Sequence, residues 1–359
     1  MKKLIPLAVI LLGFFTSCQK NNVTPAKQKP DDLTARNLAA LKNHGPDVYV
    51  LGDYMVAPGE YEPAYWKNGN LVVLSTQPTD EAFDIAVNGK DVYVSGVTTA
   101  SGQTQAVYWK NDTVHYLNYG TAISFSSWGF AIAVNGSDVY VAGEYTDLNR
   151  NITNCILWKN GVAQDLAYNK YPSGARAVVV KNNKVYVGGY SSLDASGNTV
   201  ATYWINGAHG RVRASTGNSS ASSIAVNDRG DLYMAGYIAD NGSPPVLTAA
   251  YWLDGVVQAT LPGSNSSASG IALNNNDVYV VGIVAGGYSN FQSQAVYWKN
   301  TTQTLFGGIG DGYTGRDIAV TDDDIYLLAY EGGNVTYYKN GTPVQIPNAN
   351  GFKIKLVWH

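Results

Sequence analysis

One short motif recurs along the chain at a nearly fixed interval. Val-Tyr-Val stands at 48–50, 92–94, 139–141, 185–187 and 278–280, with Leu-Tyr-Met at 232–234 and Ile-Tyr-Leu at 325–327. Its tyrosines are Tyr49, Tyr93, Tyr140, Tyr186, Tyr233, Tyr279 and Tyr326, separated by 44, 47, 46, 47, 46 and 47 residues. A second motif follows each one: Tyr65-Trp66, Tyr108-Trp109, Leu157-Trp158, Tyr203-Trp204, Tyr251-Trp252, Tyr297-Trp298 and Tyr337-Tyr338. These two motifs hold 14 of the 26 Tyr and six of the eight Trp, so most of the aromatic content is scaffold and is not counted as binding surface.

Within a unit the pattern reads as four short strands. The first is of the type Asp84-Ile85-Ala86-Val87, recurring at 131–134, 223–226 and 317–320, and a polar turn such as Asn88-Gly89 or Asn135-Gly136 follows it. The second is the Val-Tyr-Val strand, whose alternation puts both valines on one face and the tyrosine on the other. The third is of the type Ala-Val-Tyr-Trp-Lys, closed by turns such as Asn68-Gly69, Asn160-Gly161, Asn206-Gly207 and Asn340-Gly341; a short fourth strand such as Leu71–Leu74 completes the unit. Asn-Gly between alternating apolar residues predicts a tight hairpin with both central residues at positive φ.

Four-stranded units of about 40–50 residues repeated seven times predict an all-β, seven-bladed β-propeller of four-stranded antiparallel blades. Each unit is apolar on both faces and buries them by stacking on two neighbours, which a closed ring satisfies. The units resemble those of the bacterial seven-bladed β-propeller repeat family, which implies the same fold and says little about activity. Six first-type strands precede the second to seventh Val-Tyr-Val segments, so one is missing. Gly351–Leu356 matches Gly129–Val134 and is the favoured closing strand, although Lys353 and Lys355 then stand where that segment has alanines; Arg36–Ala40 is the rival. Residues 33–41 also read as a helix, capped by Asp31 or Asp32 and stopped by Gly45.

Residues 1–17 form a basic start and an apolar run, Leu4–Phe15, too short for a bilayer span of ~20 residues and of the shape of a signal-peptide core. Phe15-Thr16-Ser17-Cys18 resembles a bacterial lipobox, which implies cleavage before Cys18 and lipidation of its thiol. Residues 18–45 then read as a lipidated, polar tether, and 46–359 as the propeller. Gln19 after Cys18 implies, by the same resemblance, sorting to the outer membrane, facing the periplasm or the exterior. Cys155 is left without a partner, at a position held elsewhere by Ala106, and is expected to be a small buried side chain.

Charge excludes several classes. The net charge is −3, the basic residues are scattered, and no electrostatic footprint for a nucleic-acid backbone is present. Two cysteines make neither a disulfide framework nor a multi-thiolate zinc site, and His44, His115, His209 and His359 do not cluster, so neither metal nor cofactor is expected. Gly310–Gly315 matches a dinucleotide fingerprint in letters, but a strand follows it where that motif needs a helix. Asp322-Asp323-Asp324 lacks the spacing of a calcium loop. Asp112-Thr113-Val114 resembles a short bacterial O-glycosylation acceptor.

In an up-and-down blade the 1–2 and 3–4 turns lie on one side of the disc and the 2–3 and 4–1 loops on the other. Here the first set is tight and the second long, and binding residues sit preferentially on loops carried by a rigid scaffold. The candidate ligand-binding residues on that loop face are Trp128, Tyr145, Tyr171, Arg176, Tyr313 and Arg316, aromatics with a polar tip mixed with arginine. The expected function is a non-catalytic, monomeric binding module, held to the membrane by its N-terminal lipid and engaging an envelope protein or a glycan. The alternative is a carbohydrate-active hydrolase or lyase using two of Glu60, Glu62, Glu144, Asp147, Asp311 and Glu331, since glycosidic chemistry needs a carboxyl pair some 5–9 Å apart.

Overall fold

The computed structural model describes residues 45–358 apart from 78, 101, 120–124, 150, 167–169, 196, 213–216, 286–291, 311–312 and 332–333. The expected signal segment, Cys18, the tether up to residue 44 and the 33–41 helix lie outside the described residues, as does Asp311.

Seven four-stranded antiparallel sheets follow one another around a ring. From the inside outwards, blade 2 runs Glu81–Asn88, Asp91–Thr98, Gln105–Lys110 and Thr113–Tyr116, and blades 3 to 7 repeat that order. Blade 1 is composite. Its innermost strand is Ala349–Val357 from the C-terminus, paired antiparallel with Asp47–Ala57, so Tyr49 faces Lys355 and Leu51 faces Lys353. The expected C-terminal closure is therefore what the fold uses.

No common core fills the ring. The apolar side chains form seven clusters, each between two adjacent blades. The alternation of the Val-Tyr-Val strand decides which cluster each residue joins. Val92 and Val94 pack toward blade 1 while Tyr93 packs toward blade 3, and Val48 and Val50 pack toward blade 7 while Tyr49 packs toward blade 2. The tryptophans share the valine face, and their indole N–H groups stitch blades together. Trp158 donates to the Asn118 carbonyl at 3.0 Å, Trp204 to Leu166 at 2.9 Å and Trp298 to Pro262 at 2.9 Å, in each case on the preceding blade. Cys155 is fully buried, with Ser173 donating to its sulfur at 3.3 Å, and burial pushes its thiol up to about 12.

The tight-turn face is held by polar pairs that also repeat. In blades 1, 2, 3, 6 and 7 the aspartate ahead of the second strand pairs with the lysine ending the third, as in Asp47–Lys67 at 2.8 Å and Asp277–Lys299 at 2.7 Å. The following asparagine sits at positive φ, 48° at Asn68, and its side-chain oxygen accepts the backbone N–H of Val48 at 2.9 Å. The 3–4 turns of blades 1, 3, 4 and 7 are thus the expected Asn-Gly type, while blade 5 has Asp254-Gly255 and blades 2 and 6 have Asn111-Asp112 and Asn300-Thr301, with only the asparagine at positive φ. The 1–2 turns differ. Asn88 stays in the strand, paired with Asp91, and of the Asn-Gly pair only Gly89, at φ 60°, enters the left-handed region. Asn88 instead donates its amide to the Gly136 carbonyl of the next blade at 2.7 Å.

Candidate functional site

Every innermost strand carries a β-bulge at its loop-face end, where one residue is left out of the pairing register. The bulged residues are Phe352, Phe83, Phe130, Arg176, Ser222, Ser269 and Arg316 for blades 1 to 7. The glycine that ends the Val-Tyr-Val strand is a consequence of the bulge. A Cβ on Gly96 would collide with the Glu81 carbonyl, and one on Gly143 with the Trp128 carbonyl. The residue after that glycine then stands beside the bulge of the next blade.

That juxtaposition assembles a charged cluster between blades 3 and 4. Glu144 is buried at 7% exposure. Its carboxylate lies 2.7 Å from Nη1 of Arg176 and accepts the Tyr190 hydroxyl at 3.1 Å. The Arg176 guanidinium lies 4.3 Å from the Phe130 ring centroid and 5.4 Å from that of Tyr190, and Phe130 in turn packs on Phe83 at 5.1 Å. Burial pushes the Glu144 carboxyl up, with Arg176 and Tyr190 pulling against it, and the Tyr190 phenol is pushed up to about 12, first by burial and then by Glu144. Two expected loop-face residues, one from the binding set and one from the acid/base set, are therefore an internal ion pair.

The other expected residues are dispersed. Tyr145 is buried at 5% exposure, stacked on Tyr119 at 4.1 Å with its hydroxyl donating to Asp165 at 3.0 Å, so it belongs to the packing between blades 2 and 3 rather than to the rim. The Tyr313 ring lies against the backbone of Gly308 and Gly310. Lys170 stands 5.5 Å over the Tyr171 ring, and Trp128, half-buried, pairs in register with Glu144. Among the carboxylates, Glu331 accepts the Tyr338 hydroxyl at 2.6 Å and the Gly308 N–H at 3.2 Å, and Asp147 accepts the Asn149 N–H at 2.9 Å. Glu60, Tyr61 and Glu62 stand not on a loop but on a strand, because blade 1 extends its second and third strands into a hairpin with a two-residue tip.

Two charged groups near the bulges have no ion-pair partner among the described residues. Arg316 lies 5.6 Å from the Tyr330 ring centroid; its Nε is buried without a hydrogen-bond partner, and burial lowers its affinity for a proton. Asp53 occupies in blade 1 the place that Glu144 has in blade 3, but in blade 2 the repeat positions of Arg176 and Tyr190 are held by Phe83 and Val97. Burial, then the neighbouring Glu81, pushes the Asp53 carboxyl up to about 7. Sequence reasoning passed over Asp53. Its alignment with Glu144 after the repeat glycine was the available signal.

The channel along the ring axis holds a cavity of about 340 Å³, lined by Arg176, Asp84, Ser223, Asp317 and Lys353 together with isoleucines and valines of the innermost strands. Lys353 lies deep in it, flanked by Asp317 of blade 7 and Asp84 of blade 2. Burial opposes the ammonium charge, but the two aspartates outweigh it and hold Lys353 above the ordinary lysine value. Among the described residues no three His, Cys, Asp or Glu side chains gather where a metal ion would be held.

No family model and no curated protein matches the sequence. Solved structures do. A hydrazine synthase of Kuenenia stuttgartiensis is 13% identical over 88% of this chain and 47% of its own, with a TM-score of 0.44. A puromycin-hydrolyzing peptidase of Mycobacterium tuberculosis is 12% identical over 72% of this chain and 45% of its own, also at 0.44. A chain of a nidogen/laminin complex is 10% identical over 87% of this chain and 98% of its own, at 0.42. The chain thus spans about half the length of the first two. Identities this low carry no functional inference.

Proposed function

We propose that the chain is an exported, membrane-anchored binding module that engages an envelope protein or glycan through its loop face and performs no chemistry. The observation that supports this reading is the contrast between the two faces. The tight-turn face pairs its aspartates and lysines with each other in five blades. On the loop face no described side chain pairs its charge with Arg316 or Asp53, although both are partly withdrawn from water. Charge that a scaffold withdraws from water without pairing is costly, and a bound partner that supplies the missing group offsets the cost.

The anchoring half rests on the Phe15–Cys18 segment. A Cys18→Ser variant should move from the membrane to the soluble fraction of its cells and lose incorporation of labelled palmitate; unchanged fractionation and labelling would refute the anchor. The binding half is tested by retention of the intact lipoprotein on native envelope fractions, comparing the wild type with an Arg316→Gln/Trp128→Ala variant of unchanged thermal stability. Retention of the wild type alone supports the reading, and equal retention refutes it. The alternative of hydrolysis has one observation in its favour, a carboxyl at Asp53 raised to about 7 beside Glu81. Turnover of a polysaccharide by the wild type, abolished in Asp53→Asn, would replace the binding reading with that one.

A further inference from the structure

The repeat places the same two side chains, an arginine at the bulge and a tyrosine beside it, in two blades. In blade 4 they are Arg176 and Tyr190, 5.4 Å apart from guanidinium carbon to ring centroid; in blade 7 they are Arg316 and Tyr330, 5.6 Å apart. The register is identical. Arg176 falls between Ala175, opposite Gly189, and Ala177, opposite Gly188, and Arg316 falls between Gly315, opposite Ala329, and Asp317, opposite Leu328. The surroundings differ in two residues of the preceding blade. Where blade 3 supplies Glu144 to the guanidinium, blade 6 has Ile283 at the same register position. Where blade 3 covers the guanidinium with the Phe130 ring at 4.3 Å, blade 6 has Ser269, whose hydroxyl donates to the Gly315 carbonyl at 2.7 Å and offers no aromatic ring. Blade 7 therefore repeats the receptor without its carboxylate and without its aromatic cover.

We infer that Arg316 and Tyr330 form a carboxylate-binding site on the loop face, and that its ligand is an acidic side chain of an extended segment of a protein partner. The occupant of the blade 4 copy identifies the chemistry. Glu144 is a glutamate presented by an extended strand, Asp138–Asp147, and both its arginine and its tyrosine contacts are made to that carboxylate. A planar guanidinium beside a phenol offers a carboxylate a forked donor and a second O–H. No side chain among the described residues supplies that group to Arg316, whose Nε is buried without a partner.

This inference rests on the loop-face binding reading and names its ligand. The test uses the mature full-length protein and two labelled, end-blocked peptides of β-forming residues, one with a central Glu and its twin with Gln, followed by fluorescence anisotropy at low salt. The Glu peptide should bind saturably, and the Gln twin at least tenfold more weakly. Arg316→Gln should lose the Glu peptide by at least tenfold, and Arg316→Lys should recover only part of it, because an ammonium lacks the fork. The decisive variant is Ile283→Glu, which gives the blade 7 site the carboxylate that Glu144 supplies in blade 4. It should fold with unchanged or raised thermal stability and no longer bind the Glu peptide, since its own carboxylate fills the site. Equal binding of both peptides, or undiminished Glu-peptide binding by Ile283→Glu and Arg316→Gln, would overturn the site. Binding of an oligouronate in place of the peptide would overturn the protein partner. Native envelope retention that survives Ile283→Glu would overturn this site and leave the binding module standing, whereas no retention of the wild type would remove both.

Discussion

Asp53 shows how a repeat constrains single residues. The position after the repeat glycine is forced by backbone geometry to face the bulge of the next blade, so a carboxyl placed there has its environment chosen by the neighbour. At Glu144 the neighbour offers an arginine and a phenol. At Asp53 the equivalent positions of the neighbour are Phe83 and Val97, and burial beside Glu81 raises the carboxyl to about 7 from an ordinary value of 3.8. The sign of the consequence follows from linkage. A carboxyl that holds its proton more tightly folded than unfolded favours the native state most below pH 3.8, and that contribution is lost as pH rises to about 7. A gap of about three units corresponds to a differential on the order of 4 kcal/mol. Asp53→Asn should therefore be near neutral at pH 4 and increasingly stabilising up to pH 7, with a plateau above. Thermal unfolding of both proteins across that range checks it, and a difference that stays flat with pH would refute the assignment.

At the scale of strands and turns, the repeat made most of the fold legible from sequence and hid the rest for identifiable reasons. The period, the valine and tyrosine faces and the 3–4 turns were readable because each depends on residues within one unit. The 1–2 turns were not, since Asn88 and Asn135 carry the letters of an Asn-Gly turn while both stay in the strand ladder, and the Asn88 amide bonds the next blade. Glu60 and Glu62 were read as loop because nothing in composition separates a long hairpin from a long loop. Tyr145 looked like a rim residue until Tyr119 and Asp165, distant in sequence, closed over it. The indole stitches lend themselves to a matched comparison. Trp204 donates to Leu166, whereas the equivalent Trp252 is equally buried with its N–H unpartnered. Trp→Phe at either site removes similar volume, but only at 204 does it leave a buried carbonyl without its donor, a loss of about 1–3 kcal/mol. Trp204→Phe should thus be less stable than Trp252→Phe by about 1–2 kcal/mol in urea unfolding. Equal losses would mean that the indoles act by volume alone.

For the molecule as a whole the critical place is the seam, where strands from the two ends of the chain must find each other to close the ring. At the residue after the bulge, four blades carry Ala131, Ala177, Ser223 and Gly270, all small and neutral. Charge occurs only in the closing blade and its two neighbours, as Asp317, Lys353 and Asp84. From sequence the lysine looked like an obstacle to closure, because its two partners lie 269 and 36 residues away and meet it only once the ring is shut. In the folded ring each aspartate also accepts a backbone N–H from the next blade, Asp84 from Ile132 and Asp317 from Ile354, both at 3.0 Å. The triad thus sets the C-terminal strand between its neighbours by charge as well as by ladder hydrogen bonds. Removing one member of a buried charge set leaves the others uncompensated, at a cost of about 3–5 kcal/mol. Lys353→Met should lose about that much at pH 7.5, because Asp84 and Asp317 then share the channel with no cation between them. The deficit should shrink as pH falls, since burial already pushes the Asp84 carboxyl up and its protonation relieves the repulsion. An Asp84→Asn/Lys353→Met/Asp317→Asn variant, with no charge left in the channel, should recover most of the stability at pH 7.5. Denaturant unfolding of the three proteins at pH 7.5 and pH 5 separates the cases. A Lys353→Met deficit that is the same at both pH values, and undiminished in the triple variant, would show that the ring is closed by strand pairing and apolar packing alone.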